Sequence, residues 1–170
     1  MNFNLAPRRS IVRQWGLSLV AALACLSAHS GQRFQANAAG DEITDNQTGL
    51  VWRRCTEGQN WNGKTCAGSH QAYTFEGALA RAQNQAGSSG VAWRLPNVKE
   101  LKSLVNPEVI NPAINTSAFP GTPVTYFWSG TPVAGYAPGV WVVWFIDGLV
   151  GTGEAEAEYG GAARLVRTIP

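Results

Sequence analysis

Histidine and cysteine are scarce in this chain, which holds two of the first and three of the second in 170 residues. A zinc-type site needs several imidazole or thiolate ligands at short spacing, and no such cluster is present. There is no phosphate-binding loop and no paired-carboxylate motif, and a Ser–His–carboxylate arrangement would have to rest on His70 alone. No catalytic residue, cofactor or metal ligand is therefore assigned. Also absent are an internal repeat and a Gly-X-Y period. A membrane-crossing helix takes about twenty apolar residues, whereas the longest such run, Trp15 to Leu26, has twelve.

A basic excess is missing as well. The formal net charge is +2, but Arg8, Arg9 and Arg13 precede residue 30 and every acid follows it. Beyond that point ten basic residues face eleven acidic ones, a net charge of −1. Nucleic acid, which demands a strongly basic face, is excluded as a partner on these totals.

What is present begins with an export pattern. Three arginines precede the twelve-residue apolar run, and small residues at Ala28-His29-Ser30 or Ala36-Asn37-Ala38 suit cleavage. Distance from the apolar run favours the first. Arg8-Arg9 also resembles a twin-arginine signal. Cys25 after Ala22-Leu23-Ala24 loosely resembles a lipoprotein box, without the large aliphatic residue three positions before it. The expected organisation is a signal peptide over 1–30, a flexible lead-in over 31–40 and one domain over 41–170. The expected location is the periplasm or the cell surface, with a lipid anchor at Cys25 as the lesser alternative.

In an oxidising compartment Cys55 and Cys66, with Gly58, Asn62 and Gly63 between them, predict a loop-closing disulfide. The rest of the chain predicts an α+β fold. Gly49 to Arg53 is a short strand after the turn Asp45-Asn46-Gln47-Thr48. Thr74 caps a helix from Phe75 to Gln85 that buries Phe75, Ala78, Leu79, Ala82 and Ala86 and ends at Gly87. Val91 to Leu95 is a strand stopped by Pro96. Asn97 with Glu100 then forms a capping box for a second helix that buries Val98, Leu101, Leu104 and Val105 and ends before Pro107. A long loop runs to Pro123. Strands follow at Tyr126–Ser129, Val140–Ile146 and Ala163–Thr168, with a soft region around Glu154, Glu156 and Glu158.

Four segments in order carry a resemblance: Thr48-Gly49-Leu50-Val51-Trp52, Trp93-Arg94-Leu95-Pro96-Asn97 with Glu100-Leu101, Tyr126-Phe127-Trp128-Ser129, and Arg164-Leu165-Val166-Arg167. Together they resemble the domain named for the C-terminal region of the Legionella collagen-like adhesin (Lcl), over about 41–167. That family is similar to the C-type-lectin-like fold, which implies two helices packed on a twisted antiparallel sheet with long loops. The resemblance also implies sulfated glycosaminoglycan binding and trimers. With no collagen-like period here a homo-oligomer is unsupported, and without a basic excess polyanion binding is weakened. Trp144 stands where many relatives carry a polar residue.

The first functional expectation is an exported, non-enzymatic module for glycan binding or adhesion. Indole rings stack on sugar faces and keep a donor for a hydroxyl. Trp61, in the cysteine loop, and Trp141 and Trp144, on opposite faces of one strand, are the candidate platforms. Trp52, Trp93 and Trp128 read as core. For sulfated polysaccharide the candidate cations are Arg53, Arg54, Lys64, Lys99 and Lys102; the last two share one helix face. Arg94, Arg164 and Arg167 read as structural, tied to carboxylates or carbonyls. A calcium-dependent lectin triplet such as Glu-Pro-Asn is missing. The alternatives are a periplasmic module that docks another envelope protein and, more remotely, an enzyme of the formylglycine-generating type.

Overall fold

A computed structural model describes Met1, residues 32–155 and residues 160–169. The expected signal segment, with its arginines and Cys25, lies outside the described residues, as do Glu156 and Glu158. The fold is that of the unit Gly31–Pro170.

Two antiparallel sheets, a two-stranded ribbon and two helices make up this unit. The first sheet has the order β1-β2-β3-β9, from Phe34–Ala36, Glu42–Asp45, Leu50–Arg53 and Val166–Thr168. The ribbon pairs β4 (Asn60–Trp61) with β5 (Cys66–Ala67). The second sheet has the order β6-β7-β8, from Tyr126–Pro132, Gly139–Trp144 and Val150–Glu154. The helices are α1 (Phe75–Ser89) and α2 (Val98–Ser103).

The central strands are apolar at successive positions because both of their faces are buried. Side chains alternate across a strand. In β3, Leu50 and Trp52 therefore enter one core cluster while Val51 enters another. In β6, Phe127 and Trp128 divide the same way, and in β7 Val143 opposes Val140 and Val142. The first cluster takes Leu101 and Leu104 from the α2 segment and Phe119 from the long loop. The second takes Ala78 and Ala82 of α1. Trp52, Trp93 and Trp128 are all buried, as their place in the sequence predicts.

Local signals set the helix ends. Thr74 accepts the Gly77 amide at 3.1 Å as N-cap of α1. The helix passes through Gly87 and stops at Gly90, whose φ of 68° is the left-handed C-cap conformation that glycine adopts without strain. Asn97 and Glu100 complete the predicted capping box of α2.

Several expectations need correction. Residues 34–36 are strand β1 rather than flexible lead-in, paired with β2, and Arg33 braces that edge by an ion pair to Asp45 at 2.9 Å. The single sheet is two sheets plus a ribbon. Val91 to Leu95 forms no strand; Arg94 alone bridges to Val166. The soft region begins with a strand, β8, whose alternating glycines conceal it.

Candidate functional site

The capping box that starts α2 also sets where its lysines go. Val98 sits at the first helical position, its amide bonded to Thr131 Oγ1 of β6 at 3.0 Å. This aligns α2 alongside the second sheet. Lys99 and Lys102, three residues apart, lie on one helix face. Trp141 of β7 meets them there, and with Val98 of α2 and Val150 of β8 they line an open groove of about 260 Å³. Trp141 is half-buried and both lysines are exposed. Lys102 donates from Nζ to the Gly148 carbonyl. An ammonium has three donors, so anchoring one leaves two for a ligand. Lys99 has no hydrogen-bonded or ion-paired partner among the described residues. Three predicted residues thus line one groove, in which the Trp141 ring and the aliphatic stems of Lys99 and Lys102 make an apolar wall.

The other predicted tryptophans stand apart from this groove. Trp144 is on the opposite face of β7, 39% exposed, its ring 5.0 Å from that of Tyr126. Trp61, on β4, lines a different and polar cleft of about 420 Å³, together with Asp41, Arg53, Glu57, Asn60, Arg81 and Gln85 among others. Cys55 and Cys66 form the predicted disulfide. Because Cys66 is the strand partner of Trp61, the bridge ties the ribbon that carries the ring.

The predicted arginines are occupied by the fold. Arg54 donates to the carbonyls of Ala118, Gly40 and Ser117 at 3.0, 3.0 and 3.1 Å. Its guanidinium lies 3.8 Å from the centroid of Trp61, and burial draws its pKa down. Arg53 donates to Gln85 Oε1 at 2.6 Å and lies 4.9 Å over Trp93. Arg94 pairs with Glu100 at 2.8 Å and Arg167 with Glu42 at 2.8 Å. Arg164 is fully buried, donating to the carbonyls of Arg53 and Arg54 and to the hydroxyls of Thr56 and Thr122. Burial lowers its pKa to about 9.

Two carboxyls are held below their ordinary range. Burial pushes Asp45 upward, but bonds from the Arg33 side chain and the Gln47 amide outweigh it. Burial likewise pushes Glu100 upward, and the Arg94 side chain and Asn97 amide outweigh it. No group of three or more His, Cys, Asp or Glu able to hold a metal exists among the described residues.

A family model described as the Lcl C-terminal domain matches residues 41–167. The chain belongs to the Lcl C-terminal domain family. No curated protein matches it. In this Lcl C-terminal domain the aromatic and arginine landmarks do structural work: Trp52, Trp93, Phe127, Trp128 and Arg164 are buried. Family membership therefore accounts for the core, while the groove at Trp141 has to be argued on its own chemistry.

Sequence reading misses the walls of both concavities. Val150 belongs to β8, where Val-Gly-Thr-Gly-Glu offers no apolar alternation to mark a strand. The polar lining around Trp61 is gathered from the 41, 53–61 and 81–85 segments, and nothing in a linear pattern announces that meeting. The Lys99–Lys102 spacing, the strand alternation at Trp141 and the place of Trp61 in the cysteine loop are the local signals that reached a site.

Proposed function

We propose that this chain is an exported, non-enzymatic binding module that takes an anionic, sulfated glycan on the face formed by α2 and β7. The observation that carries the reading is the half-buried Trp141 in one groove with Lys99 and Lys102 of α2. An indole stacks on the apolar face of a sugar ring, and the two ammonium groups, both carried by α2, answer sulfates along that side of it. The small local cation count suits a few specific contacts rather than a broad polyanion-binding surface. We read the architecture, two helices with antiparallel sheets, a long loop and a disulfide, as C-type-lectin-like.

Export is supported by the arginine-led apolar run and by the disulfide, which persists in oxidising compartments. Cleavage after Ser30 fits best, since cleavage after Ala38 would remove β1 and the Arg33–Asp45 pair. Amino-terminal sequencing of the mature protein tests this; a start at residue 39 would overturn it.

The binding test uses the exported protein, heparin and fully desulfated heparin, at low and high salt. Binding should require sulfate, weaken with salt as exposed ion pairs are screened, and fall about tenfold or more in Lys99→Ala/Lys102→Ala. Equal binding to desulfated heparin would sink the reading.

A second reading has its own observation. Ile146, Leu149 and Val150, around the β7–β8 connection, are 45%, 63% and 40% exposed. Clustered apolar exposure favours docking of another envelope protein. Such docking would need no sulfate, and glycan would block it only by covering Val150, which the two surfaces share.

A further inference from the structure

The Trp61 cleft differs from the Trp141 groove in size and charge, and it is a separate place in the fold. Its volume of about 420 Å³ lies within the usual range for small-ligand sites, roughly 300–1,000 Å³. Its charges balance. Arg81 is held by Glu57 at 2.7 Å and Arg53 by Gln85 at 2.6 Å, while Asp41 accepts from Asn37 at 2.9 Å. A sulfate or phosphate entering here would meet Asp41 and Glu57, and a cation would meet Arg53 and Arg81. A wholly apolar ligand would strip water from polar groups without replacing their hydrogen bonds. Hydroxyls, which both donate and accept, suit carboxylate, amide and guanidinium groups alike.

The aromatic wall is fixed before any ligand arrives. Arg54 stacks on Trp61, and a Cβ placed on Gly40 would come within 2.6 Å of the indole Nε1. The disulfide and the Trp61–Cys66 strand pairing hold the ribbon. Preset side chains avoid part of the ordering cost of binding. We infer that the cleft lined by Asp41, Arg53, Asn60, Trp61, Arg81 and Gln85 is a second binding site, for an uncharged, hydroxyl-rich ligand: a neutral saccharide unit. This extends the binding-module reading but uses none of the residues of the Trp141 groove.

The test is titration of the exported protein with cellohexaose, chitohexaose and maltohexaose at millimolar concentration, followed through the tryptophan indole N–H resonances. At least one of these should shift the Trp61 signal saturably and equally at low and high salt. Asp41→Asn, which keeps the size of the side chain, should weaken binding about tenfold. Trp61→Ala should weaken it further. Because that truncation also unpacks Arg54, Asp41→Asn carries the decision. The Lys99→Ala/Lys102→Ala variant should bind these oligosaccharides as the parent does, and Asp41→Asn should still bind heparin. No Trp61 shift with any of the three, a shift that disappears at high salt, or unchanged affinity in Asp41→Asn would each overturn the second site. Loss of heparin binding by the lysine variant, by contrast, bears only on the first.

Discussion

Around β3 and the Arg164–Arg167 segment, arginines are consumed by the fold, whereas on α2 Lys99 is left to solvent and Lys102 spends a single bond, on the Gly148 carbonyl. Arg164 distributes its donors over two carbonyls and two threonine hydroxyls from segments far apart in sequence. Arg54 does the same for three carbonyls, two of them in the long loop. A guanidinium suits this because its planar fork offers five donors in fixed directions. Lysine is a point charge on a flexible stem, better placed where a ligand decides the geometry. Residues of one formal charge thus serve two purposes, and the chemistry of the head group separates them. The arginine region pins irregular chain to the sheets, and the lysine region presents charge beside an aromatic ring.

Removing Arg164 is the strongest test of the first half of this contrast. Arg164→Met should cost about 3–5 kcal/mol, because carbonyls and hydroxyls inside the fold lose their donor. Urea denaturation of the parent and variant measures it, and a loss under about 1 kcal/mol would mean the buried guanidinium is no keystone. Arg164→Lys should recover little of the loss, since an ammonium cannot reach the same acceptors. Next in size is the disulfide. Cys55→Ser/Cys66→Ser should lower stability by roughly 3 kcal/mol on the chain-entropy account of an eleven-residue closure. The same denaturation series reads that value.

Acid should act on two ion-paired carboxyls, Asp45 of β2 and Glu100 of α2. Asp45 and Glu100 titrate below their ordinary 3.8 and 4.5 in the fold. Depressed carboxyl pKa values add stability that is complete above about pH 4.5 and is lost as pH falls through the folded values. Thermal melts should therefore be level near neutrality and decline below about pH 4.5. Asp45→Asn should flatten that decline, and an unchanged acid profile would remove the pair from the account. Smallest of all is the effect of the lysines on stability. Lys99→Ala/Lys102→Ala should alter it by no more than about 0.5 kcal/mol while weakening heparin binding. A large loss of stability would place these lysines with the arginines and dissolve the contrast.

How much of this can be read without the fold varies by signal. Both helix starts are legible because capping is local: Thr74 to Gly77, and Asn97 to Glu100, each span three residues. The α1 end is misplaced because Gly87 and Gly90 look alike in sequence, and only the backbone turn at Gly90 separates them. Strands β3, β6 and β7 stand out through their apolar residues. Strands β1, β2 and β8 do not, because edge and hairpin strands need little apolar content once a neighbour supplies the hydrogen bonds. Arg53 and Arg54 read as ligand cations for the same reason: their acceptors lie 14 to 64 residues away.

The sequence by itself determined the α+β class, the helix N-caps, the Cys55–Cys66 bridge, the buried tryptophans and the family. Each of these is either a short-range stereochemical rule or an ordered set of core residues, and both survive in a linear text. Only the tertiary structure decided that Trp141 shares a groove with Lys99 and Lys102, that Trp61 shares a cleft with Asp41 and Gln85, and that Arg53 and Arg54 are already engaged. Those outcomes depend on which distant segments are packed side by side, and a contact between strangers in sequence has no local signature.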